Sequence, residues 1–183
     1  MEKNMKKKSN IIIFLVLVVL GIISRLLPHP ANFAPVGAIA LFGGFYFKDK
    51  WKVLAPLAIL FISDAVLGFY DYKLMFTVYF CIFLNSVIGS YIKNNKIMLK
   101  AVSFSFLGSV VFFIVTNFAV WEFTNWYSQT IAGLINCYIM ALPFFLNSIL
   151  GDLFYTFTIF GAYELAKNFE LFKQSRIIKK ITN

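Results

Sequence analysis

Apolar residues run along this chain in long blocks, each closed by a cluster of charges, prolines or glycines. Six blocks can be drawn: Ile11–Leu27, Pro35–Phe47, Val53–Phe69, Leu74–Ile92, Leu99–Trp121 and Cys137–Tyr163. Segments apolar on every face predict buried or membrane-spanning helices, since they show neither strand alternation nor a one-sided helical stripe. A span takes about 20 residues. The second block is shorter and carries Gly37, Gly43 and Gly44. It reads as a short helix packed against its neighbours through small residues. The alternative is a re-entrant piece lining a cavity.

Composition turns this pattern into a class. Of 183 residues, 60% are hydrophobic and only 14% charged, and 23 are Phe. The mean hydropathy is +0.78. A water-soluble domain of this size could not hide that much apolar surface. The expectation is a single domain over 1–183, an all-α integral membrane bundle of six transmembrane helices. It would have a basic N-terminus (1–10) and a basic amphipathic tail (164–183).

The net charge of +9 would suit nucleic acid, but its placement argues against that partner. The lysines fall almost wholly between the apolar blocks, where they set topology. With six spans, one side collects Lys3, Lys6, Lys7 and Lys8, then Lys48, Lys50 and Lys52, then Lys93, Lys96 and Lys100, then Lys167, Lys173, Arg176, Lys179 and Lys180. The other side has Lys73 and Arg25. Fifteen against two predicts cytoplasmic termini in a multi-pass protein of the bacterial cytoplasmic (inner) membrane. The N-terminus imitates a secretion signal, yet Arg25, Pro28 and His29 stand where small residues would be needed, so it reads as a retained first span. The tail from Glu164 reads as a helix lying on the membrane surface. Residues 28–34, 70–73 and 122–136 then face outward. The last of these, rich in Trp and Tyr, is either a lid over the outer mouth or an interfacial aromatic belt.

Ionisable groups inside spans are functional candidates. They are Arg25, Asp64 and Asp152, each readable as a buried ion pair, a helix cap or a ligand contact. Asn85, Asn117 and Asn147 read as interhelical hydrogen-bonding groups. Cys81 is either a small buried hydrophobe or a soft thiolate ligand. Cys137 reads as packing. His29, stiffened between Pro28 and Pro30, is either solvated or turned to a cavity. No metalloprotease, nucleophile-elbow or Walker sequence is present.

Five stretches carry a resemblance: SRLLPHPANFAPVGAIALFGG (24–44), LFISDAVLGFYD (60–71), VTNFAVW (115–121), TIAGLINCYIMALPFF (130–145) and NSILGDLFYT (147–156). They are similar to the substrate-binding S-components of energy-coupling-factor vitamin transporters. With Cys81 in the fourth segment, the chain most resembles the solitary BtuM-type cobalamin transporters. The resemblance implies a six-helix fold with a vitamin pocket opening outward and cobalamin as substrate, with no permanent cofactor. It further implies that Cys81 ligates cobalt, that His29, Asp64 and Asp71, near Arg25, contact the corrin amides or nucleotide loop, and that Tyr70, Tyr79, Trp121, Trp126 and Tyr127 supply flat walls. The chain departs from the pattern at Leu146, where relatives carry Arg, and at Tyr70, where they often show His. Its first span contains no alanine, so it lacks the A-x-x-x-A face offered to a coupling subunit. Small-residue spacing occurs instead at Ala34/Ala38 and Ala40/Gly44. A solitary transporter is therefore favoured over a module of an ATP-driven complex. The alternatives are uptake of another vitamin or small nutrient, with Cys81 structural, and a membrane protein that chemically modifies a bound corrinoid.

Overall fold

Each apolar block forms a helix in the computed structural model, which describes residues 2–182 except 49 and 94, with side chains placed for residues 8–169 and 172 outside that pair. The helices are α1 (Glu2–Leu26), α2 (Val36–Tyr46), α3 (Trp51–Leu67), α4 (Tyr72–Gly89), α5 (Ile97–Phe123) and α6 (Ile131–Thr182). No strand occurs among the described residues. Helices α1, α4, α5 and α6 are long and apolar enough to cross a membrane. Helix α3 has 17 residues and α2 only 11. At ~1.5 Å per residue, α2 falls well short of a ~30 Å hydrocarbon core. Helix length alone therefore supports four spans.

Local chemistry sets the boundaries. Helix α1 stops two residues before Pro28, whose ring disfavours helical backbone in the residue ahead of it. Helix α3 ends at Gly68, at φ 103°, a conformation that glycine adopts without strain. Helix α4 starts at Asp71, whose carboxylate accepts from the backbone N–H groups of Lys73 (2.9 Å) and Leu74 (3.1 Å). Such a cap is worth about 1 kcal/mol. Helix α6 runs unbroken to Thr182 because no Pro or Gly follows Gly161. The tail is thus a continuation of α6 rather than a separate element. The expectation that it lies on the membrane surface falls mostly outside the residues with described side chains.

The short helix is the centre of the bundle. Residues Val36 and Ala38–Gly44 are buried, and α2 packs on every other helix. Ile39, Leu41 and Phe42 join Leu17 and Val18 of α1, Ile59 of α3, Ile82 of α4, Ala101 of α5 and Phe160 of α6 in one apolar cluster. Backbones touch where side chains are missing. A Cβ on Gly44 would strike the Ser86 carbonyl, and one on Gly89 the Leu41 carbonyl, so α2 and α4 cross at backbone contact. Ala38 and Ala40, both fully buried, are likewise used for internal packing. The block is thus a short helix packed on all its neighbours, and its Val36 and Gly37 end also lines a cavity.

The chain is apolar outside as well as inside. Large exposed apolar side chains include Ile12, Leu15 and Val19 on α1, Phe76 and Phe80 on α4, and Leu146, Leu150 and Phe154 on α6. Ser63, Asp64, Asn85, Ser86, Ser105, Ser109 and Thr156 are buried instead. Buried polar groups beneath an apolar exterior fit a membrane protein.

Candidate functional site

The bundle has two ends. At one, α1 and α3 finish and α4 begins, beside the loop holding His29; the Lys48 loop lies at the other. A cavity of about 300 Å³ enters from the His29 end, lined by Arg25, Asn32, Gly37, Tyr70, Asn85 and Asp152 among others. Asn32 and Tyr70 are exposed at its mouth. A hollow of about 230 Å³ shares Asn32, Val78, Phe112 and Ser148 with it and continues toward Asn117. Ligand pockets run from about 300 to 1,000 Å³, so this one lies at the small end.

One wall is an ion pair. The Arg25 guanidinium meets the Asp64 carboxylate at 2.8 Å, Arg25 being partly exposed and Asp64 buried. Arg25 also donates to Ser63 Oγ (2.6 Å), and the Tyr79 hydroxyl donates to the other Asp64 oxygen (2.9 Å). Both charges are thus paired and both carboxylate oxygens filled, as a buried pair requires. Tyr70 sits above the pair. Partial burial and the Asp64 charge push its phenol up to about 12, which keeps it a neutral hydrogen-bond donor.

The opposite wall holds Asp152. Ser109 of α5 donates to its Oδ2 (2.7 Å). Its Oδ1 lies against Gly37, where any Cβ would collide with it. No Lys, Arg or His pairs with it among the described residues. One turn away, Thr156 donates to Ser105 (3.0 Å), giving α5 and α6 a continuous polar seam. The N-terminus of α2, with no side-chain cap, lies beside Asp152 and presents the positive end of its dipole.

The residues expected from the sequence divide three ways. Arg25 and Tyr70 line the cavity, and Asp64 and Tyr79 stand behind Arg25. His29 is exposed, its Nδ1 donating to the Leu27 carbonyl (2.8 Å) across the turn. It and Asp71, which caps α4, are absent from the lining. So are Trp121, Trp126 and Tyr127. Trp121 instead donates its indole N–H to Ser128 O (3.0 Å) and ties down a connection of only 124–130. Cys81 is 2% exposed and lies on α4 outside the lining. Cys137 is buried and directs its thiol to Asn117 O (3.4 Å). Asn147 reaches Ala31 O (3.1 Å), an inter-element bond, whereas Asn117 bonds within α5 to Phe113 O (2.8 Å).

Residues 5–174 match the model described as "Family of unknown function (DUF6580)". The chain belongs to the DUF6580 family. No curated protein and no solved structure matches it. The DUF6580 match runs from within α1 through most of α6, so the cavity with Arg25 and Asp152 in its walls lies within the matched residues.

Sequence reasoning missed Ser63, Ser109, Asn32 and Ser148 as parts of the site. A signal for two of the cavity-side contacts was present. Ser105 and Ser109 stand four apart on α5, as do Asp152 and Thr156 on α6. Such spacing puts each pair on one helical face.

Proposed function

We propose that this DUF6580 protein is a solitary carrier of the bacterial cytoplasmic membrane that captures a small polar nutrient from the outer face. In this reading all six helices belong to the membrane domain and both termini are cytoplasmic, as the fifteen-to-two distribution of Lys and Arg favours. The His29 end then faces outward, and the cavity opens toward the side from which a nutrient arrives. The observation that carries the reading is the cavity itself: a hollow among apolar helices whose walls present Arg25, Tyr70, Asn85 and Asp152. Convergent polar groups in an apolar enclosure are the common form of a ligand site.

The geometry favours a ligand of modest size, with Cys81 as packing. Cobalt ligation asks the thiol to reach the ligand, whereas Cys81 is buried outside the lining. A corrinoid with its nucleotide loop also exceeds a hollow of about 300 Å³ several-fold. The test is purification in mild detergent from cells supplied with cobalamin, followed by native mass spectrometry and a visible spectrum. A small bound mass, lost in Val78→Trp, and no corrin band are expected. A corrin band that shifts in Cys81→Ser would restore the cobalt-ligating form. Absence of any bound molecule, together with no solute uptake by reconstituted vesicles, would overturn the carrier reading.

A further inference from the structure

The charges around the cavity do not cancel. Arg25 and Asp64 neutralise each other at 2.8 Å, and Asp64 has its second oxygen filled by Tyr79. Asp152 remains. One of its oxygens accepts from Ser109, and the other lies at the cavity wall beside Gly37 with no hydrogen-bond donor among the described residues. In its ionised form Asp152 therefore gives the lining one negative charge that no side-chain cation balances among the described residues. An unbalanced charge inside an apolar bundle is costly, and a carboxylate oxygen accepts but cannot donate. Around it stand Asn85 and Ser148, which can serve further polar atoms, and Val36, Leu60, Val78, Ile82 and Phe112, which can cover a hydrocarbon body.

Resting on the carrier reading above, we propose that the ligand is a small organic monocation, of the protonated amine or amidinium type, whose N–H groups are received by Asp152. Such a group supplies what no side chain gives Oδ1: a donor and a full positive charge, beyond the partial charge of the α2 N-terminus. A charge-assisted hydrogen bond of this kind is about twice as strong as a neutral one. A divalent metal is a poorer match. No cluster of three His, Cys, Asp or Glu side chains occurs among the described residues, and hard divalent ions take several oxygen ligands.

The test uses three near-isosteric probes on the purified full-length protein: benzamidinium, benzamide and benzoate. Their affinities are measured by saturation-transfer NMR, in sodium chloride and in N-methylglucamine chloride. The expected order is benzamidinium first, by about tenfold over benzamide, and benzoate last. In Asp152→Asn the preference for the cation should fall to about one. Equal binding of benzamide and benzamidinium by the unsubstituted protein overturns the proposal without reference to any variant, and leaves the carrier reading standing. Stabilisation by sodium that is lost in Asp152→Asn, with no ranking of the probes, assigns the carboxylate to an inorganic ion and also overturns it. If none of the probes binds the cation proposal fails, and if native mass spectrometry also finds no bound molecule and reconstituted vesicles take up no solute, both readings fail.

Discussion

Asp64 and Asp152 both lie inside the helix bundle, and they are held in opposite ways. Asp64 has a guanidinium at 2.8 Å on one oxygen and a phenol at 2.9 Å on the other. Asp152 has a single serine hydroxyl at 2.7 Å and a glycine against its second oxygen. The contrast separates two uses of a costly group. A carboxylate whose bonding capacity is filled by the protein fixes helices: here Arg25 ties α1 to α3, and Tyr79 ties α4 to both. A carboxylate left with open capacity at a cavity wall adds little to the fold and is available to a ligand.

The largest expected effect lies on the filled side. Arg25→Met should destabilise the protein by about 3–5 kcal/mol, because it strands a buried anion. Reversible denaturant unfolding in detergent measures this. Asp64→Asn added to Arg25→Met should recover most of the loss, since the stranded charge is then gone. A loss below about 1 kcal/mol for Arg25→Met would mean that the pair behaves like a surface bridge, and the contrast with Asp152 would collapse.

Next comes the packing around the open acid. Gly37→Val drives a branched side chain into Asp152 Oδ1 within a buried helix, and should cost about 2–3 kcal/mol by overpacking. Asp152→Ala in the same chain should recover part of that loss by making room. Failure of this rescue would show that the α2–α6 contact is limited by backbone rather than by the carboxylate.

How much of this could be read from the sequence depends on the kind of signal. The six helices were legible, because apolar runs closed by Pro28, Gly68 or Lys96 leave few alternatives. The ionisable site members were legible too: Arg25, Asp64 and Asp152 are conspicuous among so many apolar neighbours. Their partners were not. A serine in a membrane helix is common and often bonds its own i−4 carbonyl, as Ser148 does to Phe144 O (3.0 Å), so Ser63 and Ser109 looked ordinary. The facing of Cys81 was also hidden. A one-residue slip turns a side chain by about 100°, and α4 is apolar around most of its circumference. Trp121 and Trp126, conspicuous aromatics in the sequence, lie outside the cavity lining: one holds its loop and the other is exposed.

A smaller effect sharpens the comparison on the filled side. Tyr79→Phe removes one donor from Asp64 but leaves Arg25 in place. The expected loss is about 1.5 kcal/mol, in the range of a hydrogen bond to a charged group, and well below that of Arg25→Met. Equal losses would place the phenol, rather than the guanidinium, as the group that holds Asp64.

The smallest effect on stability belongs to Asp152 itself. In Asp152→Asn the amide oxygen can still accept from Ser109, the shape is nearly unchanged, and an unbalanced charge leaves the apolar interior. Stability should therefore stay within about 1 kcal/mol of the parent, with any change toward greater stability. The same unfolding measurement checks it. A loss as large as that of Arg25→Met would put Asp152 among the groups that hold the bundle together. Near-neutral stability would instead leave the carboxylate without a structural reason for lying at this depth, and that is the position of a group kept for what enters the cavity.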